Sequence, residues 1–260
     1  MDRFLIRGGR RLSGDVRVSG AKNAALPILA AALMVPGKVR VENLPHLNDV
    51  TTMLQLLGRV GVEVLLDDTG SVELDASTLN SVVAPYDLVR TMRASIVVLG
   101  PLLGRAHEAE VSLPGGCAIG ARPVNLHIKA LERLGVDFEV TDGYIKGRAP
   151  GGLVGGKVLF EKITVTGTEN VLMAAVLAKG ETIIEKAARE PEVSDLADCL
   201  VALGAKIEGI GKSNTQGYNG NEINSFDEFI DSIKKSIVQA EKQANIIIKE
   251  CYVLFSNKSI

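Results

Sequence analysis

The chain has 260 residues, of which 46% are hydrophobic and 23% are charged, and its formal net charge is -2 at pH 7. This length and composition are typical of a globular protein with one large or two ordinary domains. The small net charge excludes a global attraction to nucleic acid or to an acidic membrane, so any anion must be recognised by a local cluster of cations. Three distant cysteines, Cys117, Cys199 and Cys251, give neither a disulfide framework nor a zinc spacing. The sequence therefore predicts no metal site and a reducing compartment, the cytoplasm.

The N-terminal segment alternates apolar and polar residues between glycine-containing turns, which predicts a β-hairpin over residues 2–19. The apolar run that follows, residues 24–35, is too short to span a bilayer and contains Pro27, so we do not interpret the segment as a signal peptide. We expect this run to be a helix, with Pro27 tolerated only in its first turn. Lys22 and Asn23 then lie near a helix N-terminus, where free N–H groups favour an anion.

From this helix onward the chain repeats one order of elements three times: helix, strand, proline, helix, glycine, strand. The anchoring glycines Gly61, Gly135 and Gly204 are separated by 74 and then 69 residues. The helices are expected at about 24–34, 48–59, 91–103, 124–134, 168–179 and 193–203, and a strand is expected directly after each anchoring glycine. This period is longer than that of solenoid repeats, so each unit is expected to be an α/β module packed on its copies.

The middle unit is the longest, and its surplus residues form a loop with three glycines, Gly115, Gly116 and Gly120. The loop also contains Cys117, with Arg122 five residues further on. A nearby cation and backbone N–H groups favour a thiolate, so Cys117 is a candidate reactive cysteine. Because loops carry sites while the repeated scaffold carries stability, the extra residues indicate a functional loop.

Residues 212–260 have a different composition, with no arginine and no proline but eight isoleucines and six asparagines. Within them, apolar residues from Phe226 to Cys251 step alternately by four and three positions, which predicts a long amphipathic helix near 226–250 after a linker at 213–224. Three interpretations stay open at this point. The helix packs on the body of the protein, it forms a coiled coil or oligomer, or the segment is foreign to the first 211 residues.

The ordered motifs of residues 1–211 resemble the bacterial UDP-N-acetylglucosamine enolpyruvyl transferases. The resemblance depends on four segments: Ser19-Gly20-Ala21-Lys22-Asn23-Ala24-Ala25-Leu26-Pro27, Thr91-Met92-Arg93-Ala94-Ser95, Pro114-Gly115-Gly116-Cys117-Ala118-Ile119-Gly120-Ala121-Arg122-Pro123 and Ala187-Ala188-Arg189-Glu190-Pro191-Glu192. It covers roughly the first half of a typical family member. It implies an α/β fold of three repeated βαβαββ-type units in an inside-out α/β barrel, here followed by the C-terminal amphipathic helix. Residues 22–211 would form the domain with the catalytic loop, residues 1–21 would be the first hairpin of a second domain, and residues 212–260 an atypical tail.

The resemblance also implies an activity, the transfer of the enolpyruvyl group of phosphoenolpyruvate to the 3′-hydroxyl of UDP-N-acetylglucosamine with release of phosphate. This is the first committed step of peptidoglycan synthesis, on which the cell wall, cell shape and cell division depend. Phosphoenolpyruvate and the UDP-sugar are the implied partners, no cofactor is implied, and a partner chain or self-association through the tail helix is left open.

Residue roles follow the motifs of the family. Cys117 matches the cysteine that acts as general acid towards the enol carbon and that the antibiotic fosfomycin alkylates. Lys22, Asn23 and Arg122 match contacts to phosphoenolpyruvate, and a cationic set is what such an anion requires. The implied contacts to UDP-N-acetylglucosamine are Arg93, Arg122, Pro123, Val124, Asn125, Leu126, Lys162, Ile163, Thr164 and Val165. Many members have Asp where this chain has Asn125, and Thr166-Gly167 also departs from the usual order, so contacts there are expected to differ.

The family's active site lies between two domains, and the other domain supplies an aspartate near the sugar hydroxyl and a further arginine. Neither has a counterpart in this sequence, so the reaction is expected to be incomplete in this chain alone. Two alternatives stay open: a non-catalytic fragment that binds UDP-sugar or a partner, and the related 3-phosphoshikimate enolpyruvyl transferase. Against the second stands the Cys117 loop, because the shikimate enzyme does not use such a cysteine.

Overall fold

The computed structural model describes residues 5, 8–9, 13–16, 18–67, 70–113, 124–208 and 225–244. The predicted catalytic-loop segment with Cys117, Arg122 and Pro123, the predicted linker 213–224 and half of the predicted hairpin 2–19 lie outside these residues. The described residues of that hairpin are not in a strand, so the structure does not bear out the hairpin there. The described helices are α1 Lys22–Ala31, α2 Asn48–Arg59, α3 Tyr86–Val89, α4 Leu99–Ala106, α5 Asn125–Glu132, α6 Val165–Val176, α7 Pro191–Ala202 and α8 Phe226–Ala244, with 3₁₀ segments at Ala32–Met34 and Arg93–Val98. The described strands are β1 Lys38–Val41, β2 Glu63–Leu66, β3 Val72–Asp75, β4 Val83–Ala84, β5 Glu108–Ser112, β6 Asp137–Thr141, β7 Tyr144–Arg148, β8 Lys157–Leu159 and β9 Ile183–Glu185.

The three sheets repeat one pairing scheme, which confirms the mixed α/β class. In the middle unit the strand order is β4-β5-β7-β6, with β4 parallel to β5 and β7 antiparallel to both of its neighbours. The first sheet, β1-β3-β2, has the same antiparallel arrangement as β5-β7-β6. The third, β8-β9, is parallel like β4-β5. Read in sequence with its helices, the middle unit is a complete βαβαββ module.

Helices fill the interior and the sheets lie outside them. α1 is buried along most of its length, and α6 packs against α4, α5, α7 and the Arg93–Val98 segment. One continuous core joins α1, α4 and α6 to the inner faces of the sheets, with Leu29, Leu102 and Met173 fully buried. This arrangement is the inside-out α/β barrel that the repeat and the resemblance imply.

Two local expectations were wrong. α1 begins at Lys22, so Pro27 lies inside the helix rather than in its first turn. The proline is tolerated because the N–H that it lacks would have bonded the carbonyl of Asn23, an exposed residue at the helix start. No strand follows Gly204 within the described residues: Ala205 and the three residues after it have no strand pairing. The elements α3, β3, β4, β7 and β8 had no sequence prediction.

The last described helix, α8, ends at Ala244, and residues 245–250 of the predicted helix lie outside the described chain. Its buried side chains are not those of the predicted stripe. Ile230, a member of that stripe, is 40% exposed, whereas Phe229 and Ser232 are 6% and 5% exposed. The buried face is therefore rotated by about one residue from the apolar period. The division of the chain at residues 21 and 211 stays a prediction.

Candidate active site

The predicted binding residues that the structure describes lie at or just before the first turns of helices. Lys22 and Asn23 begin α1, Arg93 begins the 3₁₀ segment, Val124 caps α5, and Thr164 caps α6. The remaining residues of the set follow or precede these directly: Asn125, Leu126, Lys162, Ile163 and Val165. First-turn N–H groups have no intrahelical acceptor and carry the positive end of the helix dipole. The predicted set therefore falls where anions are favoured.

Lys22 forms an ion pair that the sequence did not reveal. Its Nζ lies 2.9 Å from Oδ2 of Asp49, in the first turn of α2. The two side chains are 45% and 34% exposed, so the pair is accessible to solvent. The contact places the N-termini of α1 and α2 side by side. It also holds the lysine ammonium at this edge of the fold before any ligand is bound.

The segment before α6 is fixed by Thr164. Its Oγ1 accepts a hydrogen bond from the Gly167 backbone N–H at 3.3 Å, the standard geometry of an N-cap. A Cβ on Gly167 would approach the Thr164 Cγ2 to 2.4 Å. The glycine in the unusual Thr166-Gly167 pair is therefore required by this cap, and Lys162 and Ile163 are left exposed ahead of it.

A groove of about 430 Å³ runs between α5 and the end of β8. Leu126, Leu159 and Glu161 line it, and Lys129 Nζ donates to Glu161 Oε1 at 2.9 Å across its rim. The groove lies between the two segments expected to contact the uridine nucleotide, since Leu126 ends one and Glu161 precedes the other. It has both an apolar wall and charged rim groups, as a nucleoside would require.

Two buried titratable residues lie behind these helix starts. His127, in the first turn of α5, is 6% exposed, and burial lowers the pKa of its imidazole to about 4. Its Nε2 lies 3.3 Å from Thr166 Oγ1 and its Nδ1 lies 2.9 Å from the side-chain amide nitrogen of Asn170. The imidazole of His127 is thus both packed in the core and hydrogen-bonded.

Glu169 is the second buried group, and the sequence gave no signal for it. It is 2% exposed, in the middle of α6. Burial raises the pKa of its carboxyl to about 8, with a further contribution from the carboxylates of Glu192 and Glu190. At pH 7 the protonated, neutral form of this carboxyl is therefore favoured over the ionised form.

Two kinds of site are not found in the part of the chain that the structure describes. No group of three or more His, Cys, Asp or Glu side chains is arranged to hold a metal ion. None of the helices in that part combines the length and the hydropathy needed to cross a membrane.

Solved structures with this fold are enolpyruvyl transferases. The chain superposes on the enolpyruvyl transferase NikO from Streptomyces tendae with a TM-score of 0.67 and 26% identity, over 77% of this chain and 47% of that one. It superposes on two structures of EPSP synthase from Acinetobacter baumannii with TM-scores of 0.58 and 0.56, each at 18% identity and over 78% of this chain. Those matches cover 45% and 46% of the synthase chains. The fold of this chain is thus that of roughly half of an enolpyruvyl transferase structure.

The chain belongs to the EPSP synthase (3-phosphoshikimate 1-carboxyvinyltransferase) family, whose model matches residues 6–230. That match extends past residue 211, so the first part of residues 212–260, for which a foreign origin was one of three interpretations, falls within the family region. The chain spans about half the length of the solved structures it matches.

Proposed function

We propose that this chain carries the catalytic-loop half of a UDP-N-acetylglucosamine enolpyruvyl transferase. The observation that supports this most is the common location of three separate motifs. Lys22-Asn23, Arg93 and the pair of segments around Asn125 and Thr164 all lie at helix starts, and the elements they begin pack on one another: α1 on the 3₁₀ segment, the 3₁₀ segment on α6, and α6 on α5. Both substrates are multiply charged anions, which such a set of N–H groups and cations favours.

In the proposed reaction the sugar 3′-hydroxyl adds to the enol carbon bearing the phosphate, and Cys117 donates a proton to the neighbouring methylene carbon. The tetrahedral adduct then loses phosphate from that carbon and a proton from the new methyl group, which restores the C=C bond and leaves the enol ether on the sugar. Lys22 and Arg122 would hold the phosphate and carboxylate, and Arg93, Arg122–Leu126 and Lys162–Val165 would hold the UDP-sugar. A general base for the hydroxyl is expected from the half of the family's fold that this sequence does not match, so turnover would need that half.

Direct binding measurements distinguish the two candidate acceptor substrates. We expect calorimetric titration of the chain to give at least about 10-fold tighter binding of UDP-N-acetylglucosamine than of shikimate 3-phosphate, because the groove beside Leu126 offers an apolar wall to a uracil ring that shikimate lacks. The reverse order would favour the alternative that the family description suggests, a 3-phosphoshikimate transferase. Binding of UDP-N-acetylglucosamine without phosphate release, even in the presence of the family's other half, would favour a non-catalytic module.

The role of the loop cysteine can be tested separately from sugar binding. We expect fosfomycin to add one covalent adduct to the chain, located on Cys117 by mass spectrometry and absent from Cys117→Ser. Cys199 provides the internal control, because burial raises the pKa of its thiol and leaves it a poor nucleophile. An adduct on Cys199 in place of Cys117 would contradict the proposed role.

Lys22→Ala is expected to weaken phosphoenolpyruvate binding by about 10- to 100-fold, because a charge-assisted hydrogen bond to an anion contributes roughly 1.5–3 kcal/mol. Titration in saturating UDP-N-acetylglucosamine measures this effect. Lys38→Ala is the matched control, since Lys38 forms a surface ion pair of similar length with Glu73, at 2.8 Å, on β1. Equal loss of affinity in the two variants would contradict the assignment of Lys22 to the phosphoenolpyruvate site.

A further inference from the structure

Asn170 is a fully buried amide at the centre of three elements that begin with predicted substrate contacts. Its exposed fraction is 0%, and it lies in the second turn of α6. Its Oδ1 accepts from the Gly100 backbone N–H at 2.6 Å, and its Nδ2 donates to the Ile96 carbonyl at 2.9 Å. Nδ2 also lies 2.9 Å from His127 Nδ1. Every polar atom of the side chain is therefore used.

The hydrogen bonds to Gly100 and Ile96 place the Asn170 side chain between two backbone groups of a neighbouring helical segment. In a continuous α-helix the Gly100 N–H would bond the Ile96 carbonyl four residues earlier. Here the Asn170 side chain stands between these two groups and satisfies both. The chain changes at this point from the 3₁₀ segment Arg93–Val98 to α4, as expected where a side chain enters the ladder. Pro101 follows directly and has no N–H to continue the ladder.

The close approach of α6 to this junction depends on a glycine. A Cβ on Gly100 would lie 2.2 Å from the Asn170 carbonyl oxygen and 3.0 Å from its Oδ1. No side chain other than hydrogen fits there without moving one backbone away from the other. The junction between the 3₁₀ segment and α4 therefore packs directly against the backbone of α6.

The third bond fixes His127. Because the Gly100 N–H and the Ile96 carbonyl orient the amide uniquely, Nδ2 faces the imidazole and can only donate, so Nδ1 of His127 accepts. The ring proton is then on Nε2, which donates to Thr166 Oγ1 at 3.3 Å. His127 is in the first turn of α5 and Thr166 in the first turn of α6. The Asn170 amide thus bonds Ile96 of the 3₁₀ segment and His127 of α5, and His127 in turn bonds Thr166 of α6. Ile96, His127 and Thr166 lie within three residues of the predicted contacts Arg93, Asn125 and Val165, respectively.

We propose that Asn170 is a positioning residue that sets the mutual placement of the starts of the 3₁₀ segment, α5 and α6. The placement follows from the hydrogen bonds alone. That these three starts hold the UDP-sugar rests on the function proposed above. An apolar residue of similar size would fill the space, but it would leave the Gly100 N–H and His127 Nδ1 without their partner, and the Ile96 carbonyl would keep only the Leu99 N–H.

The test uses the full chain with Asn170→Leu, and with Val72→Ala as a control of core packing in the remote strand β3. Amide hydrogen exchange is followed at Ile128 and Thr168, whose N–H groups bond the carbonyls of Val124 and Thr164. We expect both amides to exchange at least about 10-fold faster in Asn170→Leu than in Val72→Ala. Equal rates in the two variants would overturn the positioning role.

Nitrogen-15 NMR of the His127 ring supplies a readout that general destabilisation does not move. The wild-type ring is expected to be the Nε2–H tautomer at pH 7. In Asn170→Asp, which preserves the shape and serves if the leucine variant does not fold, the oxygen that replaces Nδ2 accepts from the ring, so His127 is expected to carry a proton on Nδ1. A wild-type ring protonated on Nδ1 alone, or an unchanged ring in Asn170→Asp, would overturn the proposal.

Affinity for UDP-N-acetylglucosamine separates this inference from the proposed function. We expect Asn170→Leu to bind at least about 10-fold more weakly than Val72→Ala. Wild-type affinity in Asn170→Leu would overturn the positioning role. A wild-type chain that does not bind the nucleotide would instead refute the proposed substrate, and the exchange and NMR results would still decide whether Asn170 places the three helix starts.

Discussion

Glu169→Gln is expected to stabilise the protein at alkaline pH relative to the wild type by on the order of 4 kcal/mol, with a difference below about 1 kcal/mol near pH 5. The carboxyl is buried in α6, and its pKa rises to about 8 from an ordinary value of 4.5. The folded state must therefore keep a proton that the unfolded chain releases above pH 4.5. Glutamine has the shape of the neutral acid and carries no such cost.

The sign of this pH dependence follows from the number of protons that the native and unfolded states bind at Glu169. Between pH 4.5 and about 8 the native state binds more protons at this position than the unfolded state, so the free energy of unfolding falls as pH rises. The slope is about 1.4 kcal/mol per pH unit, and it flattens above pH 8 when both states are ionised. His127 acts in the opposite direction, because a buried imidazole with a pKa of about 4 makes stability fall as pH decreases below 6.5.

Urea denaturation of both proteins from pH 5 to pH 9 measures the effect, since the contribution of His127 is common to both and cancels in the difference. Glu181→Gln is the matched control, because it makes the same chemical change at an exposed side chain. Its stability difference from the wild type should not vary with pH by more than about 0.5 kcal/mol. A Glu169→Gln difference that is equally flat would mean that the carboxyl has a partner that keeps it ionised.

Much of the scaffold could be predicted from the sequence because it is repeated. Gly61, Gly135 and Gly204 were identified only by register, and all three have positive φ, at 101°, 86° and 104°. The residues that follow Gly61 and Gly204 each donate a backbone N–H to a carbonyl in the last turn of the preceding helix: Val62 donates to Leu57, and Ala205 donates to Leu200. This is the Schellman ending that favours glycine, so one local rule explains why the same residue recurs in each unit.

The partners of the site residues could not be predicted, because they are distant in sequence and carry no period. Asp49 lies 27 residues from Lys22, and Gly100 lies 70 residues from Asn170. Asn170 and Glu169 look like ordinary polar positions of a helix that is otherwise apolar. Only the packing of α6 in the centre of the fold buries both, and burial is what changes their chemistry.

The same repeat supplies the second large prediction, Gly61→Ala. A Cβ at Gly61 would lie 2.7 Å from the Thr78 carbonyl oxygen and 2.8 Å from the Asn80 backbone nitrogen. The segment that joins the first unit to the second is held there by backbone bonds, since Asn80 and Ser81 both donate to the Val60 carbonyl, at 3.1 and 3.2 Å. Neither partner is the flexible end of a side chain, so the clash cannot be relieved by a rotamer change.

Alanine at Gly61 is therefore expected to lower the free energy of unfolding by about 3 kcal/mol or more, as the sum of about 1–2 kcal/mol of left-handed backbone strain and the cost of displacing the connecting segment. Gly135→Ala and Gly204→Ala are the matched controls. Their φ values are similarly positive, but no atom of the described residues lies within 4 Å of the added carbon. These two variants should show the backbone strain alone.

Chemical denaturation of the three variants separates strain from crowding, since the three glycines share the register of the repeat and a positive φ, and only Gly61 lies against the segment at 78–81. Equal losses at all three positions would show that the Thr78–Ser81 connection yields easily and that the units are joined more loosely than their hydrogen bonds indicate. A loss confined to Gly61 would show that the first unit is fixed to the second at this point. Since Lys22 and Asp49 belong to the first unit and Arg93 and Asn125 to the second, the contact at Gly61 would then be one of the restraints that keep the two groups of proposed substrate contacts in register.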